Sequence, residues 1–392
     1  LAANFTGHVE NNGIFLGSLD SQEKRLVVST SANAAYAEPG YLLYLRDKTL
    51  VAQRFDKQRY VLSGEPHPLS DEVVYTRLVN KAVFSATSGD ILVTQTGSGA
   101  LPSQLTWFDR NGKAVGTVGD PGSYGNIRLS ADGRRVAVDR NTPDGRIVDI
   151  WVFEPDRVEP TRLTFDPSAH QTPIWSPDNK QILFSWNRQL GDQLYLKNAD
   201  GSGSEQEIAD LGAGFSVNAW DWSRDGKYIL VRRGNELWYL NWPDRAAKPL
   251  LQPKWNVQNA QFSPDGRWVA YASNETGSME IYVAPFPSME GKWQVSTAGG
   301  QEPRWRADGK ELFYVSADGK MMAEPVTTGA NFKSGSPVAL FQTQRRQPVS
   351  SFAVFSYDVR GDGQRFLIAT KRDGASAVSP SVLLNWSSDI EK

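Results

Sequence analysis

The stretch Gln258-Asn259-Ala260-Gln261-Phe262-Ser263-Pro264-Asp265-Gly266-Arg267-Trp268-Val269-Ala270-Tyr271-Ala272-Ser273 decides the fold, because most of the chain repeats it imperfectly. Residues 260–262 predict a short strand. Ser263-Pro264-Asp265-Gly266 is a turn: Pro264 pre-sets φ, Asp265 can accept hydrogen bonds from nearby backbone N–H groups, and Gly266 supplies the positive φ that a side chain resists. From Arg267 the chain alternates, with Trp268 and Ala270 on one face and Val269 and Tyr271 on the other, which predicts a second strand and hence a hairpin.

Four further copies are Leu129-Ser130-Ala131-Asp132-Gly133-Arg134-Arg135-Val136, Trp175-Ser176-Pro177-Asp178-Asn179-Lys180-Gln181-Ile182, Trp222-Ser223-Arg224-Asp225-Gly226-Lys227-Tyr228-Ile229 and Trp305-Arg306-Ala307-Asp308-Gly309-Lys310-Glu311-Leu312. Their turn aspartates lie 46 (132 to 178), 47 (178 to 225), 40 (225 to 265) and 43 (265 to 308) residues apart. That period fits one four-stranded propeller blade per repeat. The expected fold is therefore all-β: a single β-propeller of four-stranded antiparallel blades over residues 1–392. Complete blades are placed at about 32–72, 80–119, 126–166, 171–210, 217–252, 257–298 and 301–343.

The ends complete the count. Residues 1–30 hold two strand-like pieces without an inner hairpin, whereas 355–370 form an inner hairpin followed by one more strand, Ser381-Val382-Leu383-Leu384-Asn385-Trp386. Unpaired strand edges are a liability that closure removes. A composite blade of 1–30 with 352–392 is thus expected, making eight blades, with seven or nine as alternatives.

Composition excludes several function classes. The net charge is −2 with no long basic run, so the footprint of a nucleic-acid binder is missing. No run of 18 apolar residues occurs, so direct membrane insertion is not expected. The chain starts at Leu1 without Met, which suggests a piece of something longer. The absence of cysteine rules out disulfides, thiolate metal sites and Cys nucleophiles, and fits an oxidising compartment. The 13 tryptophans include three at one repeat position (Trp175, Trp222, Trp305), the pattern of packing residues between blades.

The Ser-Pro-Asp-Gly hairpins, notably 262–273 and 175–184, resemble the WD40-like (PD40) repeats of TolB-type β-propellers. Tyr41-Leu42-Leu43-Tyr44-Leu45-Arg46-Asp47, Leu105-Thr106-Trp107-Phe108-Asp109-Arg110, Asp149-Ile150-Trp151-Val152 and Gln364-Arg365-Phe366-Leu367 further resemble the propeller region of bacterial membrane-anchored serine/threonine kinases. The resemblance implies an extracytoplasmic (periplasmic or cell-surface) sensing or partner-binding module, linked in such kinases to a transmembrane segment and a kinase domain upstream. It implies no catalytic residue, because the Gly-rich loop, the catalytic-loop His-Arg-Asp and Asp-Phe-Gly are absent.

Candidate chemistry is sparse. Three histidines, His8, His67 and His170, stand in unrelated contexts, so no metal site and no cofactor are expected. Gly214-Phe215-Ser216-Val217-Asn218 lacks the final Gly of a nucleophile elbow. One ring of positions is more informative. Two residues before the turn Ser, or its equivalent, stand Arg128, Asp221, Gln261 and Arg304, with Ile174 and Val83 in two other repeats; four before it stand Asn126, Thr172, Asn259 and Glu302. On a regular inner strand these share the face bordering the central channel. They form either a hydrated channel with mutually satisfied charges or a site for a protein, peptide or small-molecule ligand at its mouth. The functional expectation is non-catalytic recognition; the alternative is a hydrolase or lyase using acidic and basic residues at the same mouth.

Overall fold

The computed structural model describes residues 2–4, 12–17, 23–76, 81–87, 90–96, 103–142, 147–166, 168–188, 191–209, 211–212, 214–329, 331–345, 355–371, 380–388 and 390. Every regular element among them is a β-strand, paired antiparallel throughout, and no helix is long and apolar enough to cross a membrane. The all-β reading holds. The chain divides by contacts into two compact units, Leu1–Leu101 with Pro143–Arg146 and Gly374–Lys392, and Pro102–Thr142 with Ile147–Asp373.

The larger unit contains six sheets in sequence. The first joins Tyr357–Val359, Arg365–Lys371, Ser103–Asp109 and the first half of the 16-residue strand Ala114–Leu129. The second half of that strand starts the next sheet, with Val136–Asn141, Val148–Phe153 and Thr161–Arg162. Then come His170–Trp175 to Gln206–Ala209, Val217–Trp222 to Ala247–Leu251, Val257–Phe262 to Trp293–Gln294, and Gln301–Trp305 to Val338–Gln342. The inner strand of each sheet packs on the next, and the sixth sheet contacts Tyr357–Val359, which in turn contacts Ala114–Leu129. The ring is closed.

The turn chemistry is as the sequence indicates. Ser263 Oγ donates to Asp265 Oδ1 (2.6 Å) and accepts from Trp268 N (3.0 Å), while Gly266, at φ +70°, donates to Ser263 O. The same bonds recur at Ser130/Asp132, Ser176/Asp178 and Ser223/Asp225. Each aspartate caps its own turn. Trp175, Trp222 and Trp305 are buried; Trp175 Nε1 reaches Arg128 O (3.1 Å) and Trp305 Nε1 reaches Gln261 O (3.4 Å), each on the preceding sheet.

Ring closure departs from expectation. Among the described residues the C-terminal hairpin does not pair with 1–30: Arg365–Lys371 runs against Ser103–Asp109 with Leu105 opposite Ala369 and Trp107 opposite Leu367. Leu105, Leu367 and Ala369 share a fully buried cluster with Tyr124, Ile127 and Val138. The strand Lys24–Ser29, by contrast, has only exposed or half-buried side chains. It sits instead in a three-stranded sheet with Ala2–Asn4 and Gly13–Gly17. The expected blade at 80–119 also divides: Phe84–Ala86 and Ile91–Gln95 pair with Pro380–Leu384 in the smaller unit, while Ser103–Asp109 enters the ring. Within the span of the expected blade at 32–72, Ala35–Ala37, Tyr41–Arg46, Thr49–Asp56 and Val61–Ser70 pair as one four-stranded sheet of the smaller unit. Among the described residues the larger unit holds six sheets, where eight blades were expected for the whole chain.

Two outcomes follow from this packing. Trp175→Ala and Trp222→Ala should each lose about 3–5 kcal/mol of stability through the cavity left between sheets, measured by urea denaturation; unchanged midpoints would contradict the packing role. The second concerns Glu324, which is 1% exposed with no hydrogen-bond partner for Oε2, and whose pKa burial pushes up to about 7. Between the ordinary glutamate range and pH 7 the folded chain then holds a proton that the unfolded chain has lost, so this group lowers stability as pH rises through that window. Denaturation at pH 5 and pH 8 should show a pH-dependent loss that is smaller in Glu324→Gln; equal losses in the two proteins would refute it.

Candidate site in the ring channel

Each inner strand of the second to sixth sheets carries a register slip at one place: between Tyr124 and Ile127, Gln171 and Ile174, Ala219 and Asp221, Gln258 and Gln261, and Gln301 and Arg304. Within it Thr172, Asn259 and Glu302 take φ of +52°, +55° and +58°. Such a bulge re-aims side chains that a regular strand would keep on one face. The two rings of positions that the repeat pattern places side by side therefore have different roles.

Of the residues four before the turn, Asn126 and Glu302 reach beyond their own sheets. Asn126 donates to Asp139 Oδ2 (2.7 Å) and accepts from Phe355 N (2.9 Å). Glu302 accepts from Ser356 N (2.6 Å) and Ser356 Oγ (2.8 Å) and pairs with Arg345. Asn259 is buried, with no partner for Nδ2.

The residues two before the turn divide between linking and charge. Gln261 Oε1 accepts from Trp305 N (3.0 Å) and Asp221 Oδ2 from Phe262 N (2.9 Å), each a bond to the next sheet. The first sheet contributes Asp358, whose Oδ2 accepts from Leu129 N (2.8 Å). Asp358 was missed in the sequence because its turn, Arg360-Gly361-Asp362-Gly363, has no Ser; counting back two residues from Arg360 would have found it.

Arg128, Asp221, Arg304 and Asp358 come together around Phe355. Arg304 Nε lies 3.2 Å from Asp358 Oδ1, and Arg128 Nη2 lies 3.7 Å from Asp221 Oδ1. The two guanidinium carbons lie 3.6 and 4.6 Å from the Phe355 ring centroid. Burial, then the nearby Arg304 charge, lowers the pKa of Arg128 to about 10, and burial raises that of Asp221 despite Arg128. The quartet is formally neutral; Arg128 Nη2 and Arg304 Nε face carboxylate oxygens, while Arg304 Nη1 and the neighbouring Trp220 Nε1 are buried without a hydrogen-bond partner. Unmatched buried N–H groups are costly, so this arrangement suits an incoming acceptor oxygen.

Other sequence candidates lie apart. His170 is buried with Nδ1 3.6 Å from Asp149 and its ring against Trp186; His8 falls outside the described residues. Ser216 precedes the strand Val217–Trp222, with no helix after it. Among the described residues no three His, Asp or Glu side chains could jointly hold a metal ion.

No protein-family profile matches the chain. It is 26% identical over 149 residues, 38% of its length, to the uncharacterized peptidase YuxL of Bacillus subtilis, and it spans 22% of that protein's length. Among solved structures, TolB from Acinetobacter baumannii superposes with a TM-score of 0.40 at 15% identity, covering 84% of this chain and 79% of that one. A putative TolB from Agrobacterium tumefaciens superposes with a TM-score of 0.53 at 16% identity, covering 70% of this chain and 99% of that one. In fold, this chain is similar to TolB-type β-propellers.

Proposed function

We propose that the chain is a non-catalytic recognition module whose ring channel takes an acceptor-bearing group, a carboxylate above all, from a protein, peptide or small molecule. The observation that carries this reading is the pair of guanidinium groups, Arg128 and Arg304, buried around Phe355, with Arg304 Nη1 and Trp220 Nε1 lacking any hydrogen-bond partner. Guanidinium forks suit carboxylates, and buried donors without acceptors gain most from a matching ligand. An extracytoplasmic setting, as the sensing module of a bacterial signalling protein, is supported by the cysteine-free composition, the TolB-like fold and the resemblance of 41–47, 105–110 and 364–367 to kinase-linked propellers. Nucleic acid and bilayer insertion have no part in this reading.

Truncating either arginine would strand a buried carboxylate at a cost of about 3–5 kcal/mol, so the test keeps the charge. A panel of short peptides with free C-terminal carboxylates, and the same peptides amidated, is titrated calorimetrically into the wild type and the Arg128→Lys/Arg304→Lys variant. Free-carboxylate peptides should bind preferentially, and the variant should weaken them by about tenfold, the value of one charge-assisted hydrogen bond. Undiminished binding by the variant would place recognition elsewhere.

The relation to a peptidase favours a second reading, a hydrolase acting at the channel mouth. Asp221 and Asp358 are each engaged by an arginine and a backbone N–H, which leaves neither positioned as a free base. Hydrolysis of a fluorogenic peptide panel that is lost in Asp221→Asn would favour this second reading.

A further inference from the structure

A cavity of about 300 Å³ lies between the outer strand of the fourth sheet and the fifth sheet, lined by Leu251, Trp255, Tyr271, Glu275, Met289 and Lys292. The volume sits at the lower end of the ~300–1,000 Å³ usual for small-ligand sites and suits a single ring system. Its wall is mostly apolar and aromatic, and Trp255 is 37% exposed.

One polar feature stands out. Glu275 has its side chain nine-tenths buried; Oε2 pairs with Lys292 Nζ, while Oε1 is buried with no hydrogen-bond partner. The ammonium of Lys292 lies 5.8 Å from the Trp255 ring centroid and 5.2 Å from that of Tyr282. The aromatic faces that would attract a cation are thus already occupied by Lys292, which would repel a second positive charge. The free carboxylate oxygen of Glu275 would repel an anion. A neutral group carrying one donor is left, with enough apolar surface to cover Leu251, Met289 and Trp255.

We propose that this cavity is a binding site for a neutral aromatic ring bearing one N–H or O–H donor, an indole or a phenol, which donates to Glu275 Oε1 and packs against Leu251 and Met289. Such a ring could arrive as a tryptophan or tyrosine side chain of a peptide or as a free small molecule. Neither Arg128 nor Arg304 lines this cavity.

The test is ligand-observed NMR on the full chain with indole, phenol and toluene. Indole and phenol should bind about tenfold more tightly than toluene, the worth of one hydrogen bond to a charged acceptor. Glu275→Leu should bring indole and phenol down to the toluene level and leave toluene unchanged, whereas a merely structural role for Glu275 would weaken all three. Should that variant fail to fold, Met289→Trp, which fills the cavity, must lose binding of all three ligands. The Arg128→Lys/Arg304→Lys variant should bind indole as the wild type does. Toluene matching indole in the wild type, or indole binding retained in Met289→Trp, overturns the proposal. A Gly-Trp-Gly peptide that binds as well as indole identifies a peptide-borne source; a peptide about tenfold weaker than indole identifies a free one.

Discussion

The ring depends on one pairing, Ser103–Asp109 against Arg365–Lys371, seven consecutive residue pairs that join segments about 260 positions apart in the chain. Without it the first sheet would end in an open edge and the inner strands would border no channel. The pairing is secured at both ends. Thr106 and Thr370 meet through their hydroxyls at 3.1 Å, and Arg110 bridges to Glu311 of the sixth sheet (2.8 Å) and to Gly363 O (3.0 Å). Burial of Leu105, Leu367 and Ala369 in one cluster supplies the apolar contribution.

With closure in place, the bulge in each inner strand determines what the channel contains. The left-handed residue at the bulge turns Glu302 toward the neighbouring sheet, so side chains that look like channel lining act as linkers. Asp221, Gln261 and Asp358 likewise accept backbone N–H groups from the following sheet. The groups at the centre are thus held by the architecture that they also help to hold. The carboxylates there are engaged, and the surplus lies with the Arg304 Nη1 and Trp220 Nε1 donors. Phe355, from the first sheet, packs among Trp220, Val257 and Tyr271 of the fourth and fifth sheets, filling space between the two arginines.

The smaller unit has its own core, with Tyr41, Leu43, Leu50, Val73, Leu92 and Trp386 in one cluster and Trp386 edge-on to Tyr41 at 5.7 Å. Its chain segments come from both ends of the sequence, Leu1–Leu101 and Gly374–Lys392, whereas the ring is built from the residues between them. A repeat count along the sequence cannot reveal such a division, because the strands of both units have similar length, alternation and turns.

The sequence by itself determined what is local. The Ser-Pro-Asp-Gly hairpins, the burial of Trp175, Trp222 and Trp305, and the recurrence of Arg128, Asp221, Gln261 and Arg304 at one position are all set by turn chemistry and side-chain alternation within about ten residues. Only the tertiary structure decided what is remote: that 365–371 meets 103–109 and not 24–29, that the larger unit holds six sheets among the described residues, that Asp358 joins the two arginines, and that Glu275 keeps an oxygen without a partner beside Trp255. The physical reason is that backbone hydrogen bonding is indifferent to sequence. Any antiparallel strand can satisfy an edge, and the choice falls to whichever partner buries a matching apolar face, a comparison between distant segments that local patterns do not make.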